Sequence, residues 1–439
     1  MISERTSLIQ QAMQVLERNW TGTFTRPGAL LYHHQWSWDA AFVAMGYAHY
    51  NQARAEQELR NLFEGQWSNG LVPHIVFSPQ KTDYFPSYPF WEIEGNPLAP
   101  RQRQTSGIVQ PPVHATAALH IYRHAQDQEQ ARAFLRELFP RLHAWHAYLY
   151  RERDPHQEGL AFIRHSWESL DNSPTWDAIF QRMQLRPEEI PAYQRVDILS
   201  VEARCRPRKE DYDRYAYLVK FFAARDYDEA RIAADCPFLV QDVLFNALLC
   251  QGNRDLAAIA RILGEDAQQY EDWAEQTAQA INRKLWHEES GIYQDFDMVA
   301  GEHIQASSVA SFVPLYAGIP DAERARRLYN LLNSPAFCAL DEACYAVPSY
   351  DRRSPAFSPD RYWRGPVWIN INWMLYHGLR RYGQFEYAER IYRSIYELVQ
   401  QHGFYEYFHP LTGEGLGTYQ FSWTAALLID LLSSAPGNH

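Results

Sequence analysis

Two aromatic-rich segments of the chain carry carboxylic acids in surroundings that suit acid–base chemistry. The first segment, WESLDNSPTWD, runs from Trp167 to Asp177 and contains the acids Glu168, Asp171 and Asp177. Aromatic surface disfavours the charged form of a nearby carboxyl and raises its pKa, which is the state that a general acid needs to protonate a leaving oxygen. The same pattern is also typical of a helix start, with Pro174 in the first turn. The segment therefore predicts a general acid at the start of a helix, without choosing among its three acids.

The second segment, FYEYFHPLTGEG, spans residues 404–415. Glu406 lies between aromatic residues ahead of a Pro/Gly turn, where it could act as a general base that activates water. Glu414 is equally eligible by composition, and either acid could instead be a solvated loop residue. An acid in each of two aromatic segments indicates chemistry that uses a pair of carboxyl groups.

Two further strings are suited to holding a sugar. In YHHQWSWD, residues 32–39, three aromatic residues precede Asp39. Aromatic faces can stack on the apolar face of a pyranose ring, and a carboxylate can accept hydrogen bonds from the ring hydroxyls. The string RYWRGPVWININW, residues 361–373, adds aromatic residues around a glycine that permits close approach. Alternatively, Ser37 begins a helix whose tryptophans belong to the core, as Trp373 of the second string is expected to do.

Signatures of nucleotide and metal sites are absent from the sequence. The chain has no G-x-G-x-x-G, P-loop, G-x-S-x-G or H-E-x-x-H motif. His120 and His124, like His143 and His146, have a spacing that could bind a metal on a helix, but no acid accompanies them at a matching spacing. We interpret these pairs as solvated or core histidines and expect neither a cofactor nor a metal.

Helical periodicity dominates the elements that must position these groups. Apolar residues recur at helical spacing in stretches that divide into about twelve helices, often paired as hairpins, at about 7–17, 38–64, 112–150, 211–225, 236–263, 266–286, 306–332, 366–402 and 418–434. Three segments lack this pattern, 65–111, 153–210 and 333–365, and loops of that length inside a domain are usually functional. We expect one all-α domain, residues 1–439, built as a closed ring of helix pairs with these loops gathered at one end.

Composition restricts the class of protein and of partner. The 439 residues are 46% hydrophobic and 21% charged, as in a folded globular protein. The net charge of −12, with no long Lys/Arg run, predicts neither a nucleic-acid nor an anionic-membrane partner.

The N-terminus lacks the pattern of a secretory signal, and no apolar stretch is long enough to span a bilayer. Five cysteines without C-x-x-C predict free thiols and a cytoplasmic protein. Assembly into a homo-oligomer is left open.

Taken together, these strings resemble glycoside hydrolase family 63 and, more loosely, the trehalase family. The strings that carry the resemblance occur in the family's order over roughly residues 31–423. They are QWSWDAAF, SNGLVPHI, QPPVHA, HSWESLDNSPTWD, RPRKEDYDRY, YWRGPVWININW and YEYFHPLTGEG. The resemblance implies an all-α (α/α)6 barrel with long active-site loops at one end. It also implies an enzyme that hydrolyses α-glycosidic bonds with inversion and without an organic cofactor.

The resemblance assigns roles to individual residues. Asp171 occupies the position of the general acid before N-S-P-x-W-D, and Glu406 occupies that of the general base, which sets Glu414 aside. Eleven further residues are expected to bind a small sugar substrate, namely Tyr32, Trp36, Trp38, Asp39, Tyr84, Gln110, Trp176, Arg206, Tyr362, Trp363 and Trp368.

Size narrows the expected substrate. The large processing glucosidases of the family carry an additional β-rich N-terminal domain, whereas this sequence is similar to the small bacterial members that cleave mannosylglycerate and glucosylglycerate. Such substrates carry a carboxylate, which an arginine near the pocket would suit. The segment ARCRPRKEDYDRY begins with three closely spaced arginines, Arg204, Arg206 and Arg208. The resemblance selects Arg206 as the one in the pocket.

Three alternatives stay open, of which the first is also a hydrolase. A trehalase-like or other α-glucosidase would act on a disaccharide without a carboxylate. A sugar epimerase on the same barrel would abstract a proton from carbon, typically with paired histidines. A non-catalytic sugar-binding (α/α) barrel would often have lost one of the two acids, whereas both positions are filled here.

Overall fold

The computed structural model describes residues 2–79, 81, 84–338 and 344–434. Within these ranges the chain forms fifteen α-helices, which are α1 (Ile2–Asn19), α2 (Ser37–Tyr47), α3 (Gln52–Phe63), α4 (His114–His124), α5 (Gln128–Glu152), α6 (Asp177–Arg182), α7 (Lys209–Ala223), α8 (Glu229–Ala233), α9 (Val243–Leu263), α10 (Gln268–Ala280), α11 (Val313–Tyr316), α12 (Ala322–Leu332), α13 (Ile369–Arg381), α14 (Phe385–His402) and α15 (Ser422–Ser434).

Six of these helices form a closed inner ring. In order around the ring they are α2, α4, α9, α11, α13 and α15; each packs against the next, and α15 packs against α2. Each inner helix is preceded in the chain by an outer helix, in the order α1, α3, α5, α10, α12 and α14. Helix α7 and the short helices α6 and α8 belong to the long connection between α5 and α9. The prediction of an (α/α)6 barrel built from about twelve helices is therefore confirmed.

Burial explains which helices lie inside. All eleven residues of α2 are buried, as are eleven consecutive residues of α15, and a helix that is apolar on every face is stable only inside a protein. The two helices pack closely, because a Cβ added at Gly46 would lie 2.5 Å from the Cα of Ala426. The outer helix α14 instead buries one face. In the described parts of the chain, no helix combines the length and the apolar character needed to cross a membrane.

Short strands fasten the loops to the ring. The described residues contain nine, namely β1 (Gln35–Trp36), β2 (Ile75–Val76), β3 (Val240–Gln241), β4 (Trp286–His287), β5 (Ile292–Tyr293), β6 (Phe296–Asp297), β7 (Glu302–His303), β8 (Tyr405–Phe408) and β9 (Gly415–Tyr419). All their pairings are antiparallel: β1 with β2, β6 with both β3 and β7, β4 with β5, and β8 with β9. The β1–β2 pair ties the first long loop to the start of α2.

Two cysteines correct the expectation of free thiols. Cys338 and Cys344 form a disulfide, with their Cα atoms 6.1 Å apart, whereas Cys205, Cys236 and Cys250 are free and buried. The prediction rested on an odd number of cysteines and the lack of C-x-x-C, and a pair separated by five residues has no such signature. Their meeting depends on how the third long loop folds.

Candidate active site

A small cavity lies where the inner helices begin. Its wall includes the first residues of α2 and α15, and all three long loops contribute to it, as the sequence predicted. Twelve of the thirteen residues expected to act on or bind a substrate line it, namely Tyr32, Trp36, Trp38, Asp39, Tyr84, Gln110, Asp171, Arg206, Tyr362, Trp363, Trp368 and Glu406.

Trp176 is the expected site residue that does not line the cavity. Its side chain is 1% exposed, packs edge-on against Phe238, and donates a hydrogen bond from Nε1 to the carbonyl oxygen of Leu170 at 2.8 Å. The residue therefore supports the loop directly before Asp171 instead of forming the wall. Sequence spacing could not show that Asp171 lines the cavity and Trp176 does not, because both residues lie in one short aromatic segment.

Of the three acids in the 167–177 segment, Asp171 alone lines the cavity. Burial raises the pKa of its carboxyl to about 7, against the opposing influence of Tyr215, Arg206 and Ser166. The hydroxyl of Ser166 donates a hydrogen bond to Oδ1 at 3.2 Å. A carboxyl with this pKa is about half protonated at neutral pH and mostly protonated below it, as a general acid requires.

The other two acids are committed to ion pairs. Glu168 accepts hydrogen bonds from Nη2 of Arg153 at 2.8 Å and from the backbone N–H of Arg164 at 2.7 Å. Burial opposes its charge, yet Arg153 and Arg164 together lower the pKa of Glu168 to about 2. Asp177 forms two hydrogen bonds with the guanidinium of Arg364, at 2.6 and 2.8 Å. Neither acid is available to donate a proton to a ligand.

Glu168 belongs to a fully buried charge network, in which both arginines also contact Glu229. We expect Glu168→Gln to lower the free energy of unfolding by about 3–5 kcal/mol, because Glu229 alone would then face two buried arginines and one positive charge would stay uncompensated. Urea denaturation would measure this change. The matched control is Glu188→Gln, which removes a partner of Arg186 in an ion pair exposed at 65% and 69% and should change stability by less than about 0.5 kcal/mol. A loss as small in Glu168→Gln as in the control would contradict the structural role of the network.

Glu406 reaches the cavity from the β8–β9 hairpin. Its Oε1 accepts a hydrogen bond from the hydroxyl of Tyr32 at 2.8 Å, and its Oε2 accepts one from the backbone N–H of Thr418 at 3.1 Å. Gly417, with φ of +74°, allows this approach, because a Cβ there would clash with Oε2. Glu414, at the other end of the turn, is exposed and pairs with Arg204. The structure thus separates two acids that composition could not rank.

A chain of polar contacts connects Glu406 to a buried arginine. Nη1 of Arg206 donates to the Tyr32 hydroxyl at 3.0 Å, and its Nε donates to Asp197 at 3.1 Å. The guanidinium also lies over the ring of Tyr362, 4.6 Å from its centroid. Burial raises the pKa of Glu406 above its ordinary value, while Arg206 and Tyr32 counteract that rise. Arg204 and Arg208 are exposed, whereas Arg206 lines the cavity. The arginine selected by the resemblance is therefore the one at the site.

Aromatic side chains form much of the wall. The rings of Trp363 and Trp368 are stacked, with centroids 3.8 Å apart and planes 6° from parallel. Trp38 packs edge-on against Trp423 at 5.5 Å, and its backbone N–H donates to Oε1 of Gln110 at 3.2 Å. These rings offer broad apolar faces, each almost wholly buried, against which one face of a sugar ring could stack.

Asp39 lies in the same cavity. Burial raises the pKa of its carboxyl well above the ordinary value, and the nearby charge of Glu406 adds to that rise. The cavity thus brings together three carboxyl groups, from Asp39, Asp171 and Glu406, and the guanidinium of Arg206. This arrangement supplies a proton donor, a proton acceptor and several hydrogen-bonding groups for hydroxyls.

Sequence reasoning did not assign a binding role to several residues of the wall. These are Pro27, His74, Trp167, Ser169, Tyr212, Phe421 and Trp423. One signal was present, since Phe421-Ser422-Trp423 repeats the pattern of Trp36-Ser37-Trp38 and both strings begin inner helices. For the other residues no local pattern was available.

Comparisons with known proteins agree with this geometry. A family model described as the mannosylglycerate hydrolase MGH1-like glycoside hydrolase domain matches residues 32–424. A mannosylglycerate hydrolase of Rubrobacter radiotolerans is 55% identical over 426 residues, covering 97% of this chain and 96% of that protein. A glucosylglycerate hydrolase of Mycolicibacterium hassiacum is 37% identical over 441 residues, covering 97% of this chain and 98% of that protein.

A solved structure extends the similarity to the whole fold. The crystal structure of a GH63 mannosylglycerate hydrolase from Thermus thermophilus, in complex with Tris and D-glycerate, matches with a TM-score of 0.90 at 44% identity. The match covers 96% of this chain and 99% of that one. The predicted resemblance is confirmed, and the chain belongs to the MGH1-like glycoside hydrolases of family 63, enzymes that hydrolyse glycosidic bonds.

Proposed function

We propose that this enzyme hydrolyses an α-glycoside of glycerate, with mannose or glucose as the sugar, and inverts the configuration at the anomeric carbon. The similar proteins named above are mannosylglycerate and glucosylglycerate hydrolases. The observation that carries the proposal is a buried arginine beside two acids in a small cavity. A small cavity with this lining suits a substrate of one sugar ring and a short acid.

Arg206 is the proposed partner of the glycerate carboxylate. Its Nε and Nη1 already bond to Asp197 and Tyr32, whereas its Nη2 has no hydrogen-bond partner among the described residues. Tyr84 and Tyr212 also line the cavity, and this guanidinium opposes the rise that burial causes in the pKa of both. A charge-assisted hydrogen bond from a buried guanidinium would give the site its preference for an acid.

The two catalytic acids are proposed to act from opposite faces of the sugar. Asp171 protonates the glycosidic oxygen as glycerate leaves, and Glu406 removes a proton from the attacking water. Inversion needs room for that water, so the two carboxyl groups should lie about 6.5–9.5 Å apart in the complex with substrate. The hydrogen bonds from Tyr32 and Thr418 favour the ionised form of Glu406, as a base requires.

Asp39 is proposed to bind hydroxyls of the buried sugar. We expect Asp39→Asn to weaken transition-state binding by about 1–3 kcal/mol, because an amide replaces one carboxyl oxygen with an N–H group that cannot accept a hydrogen bond from a hydroxyl. Steady-state kinetics on the preferred substrate would measure the loss as a lower kcat/KM. Unchanged kcat and KM in the variant would remove Asp39 from the site.

The pH dependence of kcat/KM should be bell-shaped. Asp171 must be protonated, so activity should fall as the pH rises through about 7, the raised pKa of that carboxyl. Glu406 must be ionised, so activity should also fall as the pH drops through its own pKa, which burial holds above the ordinary glutamate value. Both limbs can be measured from the pH dependence of kcat/KM on a glycoside whose leaving group does not itself ionise. An alkaline limb that persists unchanged in Asp171→Asn would contradict the assignment.

The substrate is tested with a panel in which released hexose is measured. Mannosylglycerate and glucosylglycerate should be hydrolysed fastest, ahead of trehalose, sucrose and nigerose. The matched comparison is with the corresponding glycosylglycerol, which lacks only the carboxylate and should lose roughly 10–100-fold in kcat/KM through the unpaired arginine. Faster turnover of trehalose than of either glycerate glycoside would overturn the proposal and favour the trehalase-like alternative.

We also propose that residues 1–439 form a single catalytic domain, because the inner ring draws helices from both ends of the chain. A cytoplasmic location stays a prediction from the sequence, and assembly into a homo-oligomer stays open.

A further inference from the structure

Three histidines from two inner-helix ends meet at the end of the barrel opposite the cavity. His49 follows α2, and His120 and His124 lie in the last two turns of α4. One potential ligand atom from each imidazole lies within 4.8 Å of those of the other two. The ring centroids are 4.1 Å apart for His120 and His124 and 4.4 Å apart for His49 and His124.

A buried carboxylate adjoins the histidines. Asp430 of α15 is 1% exposed, and its Oδ1 lies 2.8 Å from Nε2 of His49 and 3.1 Å from Nε2 of His120. Its Oδ2 accepts a hydrogen bond from Nε1 of Trp373 at 2.7 Å and lies 3.8 Å from Nε2 of His377. All of its ion pairs among the described residues are with histidines, so no arginine or lysine there neutralises it.

We propose that His49, His120 and His124, with Asp430 beside them, bind one divalent transition-metal ion of the Zn²⁺ class. Three imidazoles and a carboxylate form a nitrogen-rich set of ligands that favours such ions over Mg²⁺ or Ca²⁺. The Nδ1 atom of His124 lies 3.0 Å from the carbonyl oxygen of His120, which leaves its Nε2 free to hold a lone pair toward a metal. Metal-binding histidines commonly donate their other ring N–H to a carbonyl or carboxylate in this way.

The cluster is separate from the catalytic cavity. The same helices contribute to both, but α2 and α15 reach the cavity with their first residues and the cluster lies toward their C-terminal ends. The eleven residues of α4 alone span ~16 Å at 1.5 Å per residue. None of the cluster residues lines the cavity. An ion here would crosslink the ends of three inner helices and stabilise the fold, because the site exists only when the ring is closed.

An ion can reach the cluster from solvent. The side chains of His49 and His120 are 10% and 16% exposed, and that of His377 is 34% exposed. The sequence had favoured solvated or core histidines for His120 and His124, because the acid that completes the set lies some 300 residues further along the chain.

The test uses the full-length protein without a polyhistidine tag, stripped with a chelator and dialysed against Zn²⁺. Elemental analysis should find one tightly bound ion per chain, and Zn²⁺ should raise the melting temperature, whereas Mg²⁺ should not. His124→Gln and His49→Gln should each lose the ion and the thermal shift. The matched control is His156→Gln, since His156 is exposed and outside the cluster; it should bind Zn²⁺ like the wild type. Co²⁺ should give the visible absorption of a tetrahedral ion in the wild type and in His156→Gln, but in neither cluster variant.

The outcomes separate the proposal from a purely structural His–Asp network. A wild-type protein that retains no Zn²⁺ after dialysis overturns it, and so does binding that survives in both cluster variants. Circular dichroism establishes that the variants are folded, and if neither folds, the stoichiometry and the Co²⁺ spectrum of the wild type decide. Because the site is remote from the cavity, kcat of folded His124→Gln should match that of the metal-free wild type.

Discussion

Replacing Asp171 with asparagine should lower kcat on a glycerate glycoside by roughly 10²–10⁴-fold, the usual contribution of a general acid. The carboxyl keeps its proton up to about pH 7, because it is buried against the aromatic wall. An amide at this position has nearly the same shape but cannot deliver a proton to the glycosidic oxygen. Steady-state kinetics on mannosylglycerate or glucosylglycerate would measure the change.

The leaving group supplies the control for this substitution. A glycosyl fluoride departs with little need for protonation, so Asp171→Asn should lose much less activity on the fluoride than on the natural glycoside. An equal loss on both substrates would show that the substitution disturbs the cavity and not the proton donor. Wild-type activity on the natural glycoside would remove Asp171 from the mechanism altogether.

Replacing Glu406 with glutamine should lower kcat by a similar factor, roughly 10²–10⁴-fold, but on both kinds of substrate. Water must be activated whichever group leaves, and the amide of glutamine cannot take its proton. The oxygen of glutamine can still accept from the Thr418 N–H and its amide can donate to the Tyr32 hydroxyl, so the substitution should leave the hairpin in place.

The hairpin offers a matched control at its other end. Glu414 is exposed, pairs with Arg204 and does not line the cavity, so Glu414→Gln should retain activity close to that of the wild type. Near-normal kcat in Glu406→Gln would contradict the assignment of the base. Comparable losses in both variants would indicate damage to the β8–β9 hairpin instead.

The barrel could be predicted from the sequence because its helices carry strong local signals. Inner helices such as α2 and α15 are apolar on every face, and outer helices such as α14 are amphipathic, so the alternation of the two kinds follows from patterns within each stretch. The β8–β9 hairpin was missed because its residues were interpreted as a loop before a Pro/Gly turn.

The choice among acids depends on distant contacts that no local pattern contains. Glu168 and Asp171 share one turn, yet Glu168 is committed to Arg153 and to the backbone N–H of Val109, whereas Asp171 lines the cavity. Composition left these two acids equal, and only the resemblance selected Asp171. Similarly, a tryptophan such as Trp176 could stack on a sugar. Its Nε1 instead donates a hydrogen bond to the carbonyl oxygen of Leu170, and its ring points into the protein interior.

Contacts between the ends of the chain were invisible for the same reason. His49 and Asp430 are 381 residues apart and meet only because α15 closes the ring against α2. Closure also brings the hydroxyl of Tyr32 to Glu406 across 374 residues. Sequence patterns predict elements and the faces they bury, whereas these pairs require the complete ring.

The central claim is that the enzyme releases glycerate from its glycoside by direct attack of water, with Asp171 as acid and Glu406 as base. A proton NMR time course on α-mannosylglycerate or α-glucosylglycerate tests this most directly, because it identifies the anomer of the sugar before mutarotation. We expect the β-anomer to appear first, in step with free glycerate, and the α-anomer only later. The α-anomer as first product, or no release of glycerate from either glycoside, would contradict the account.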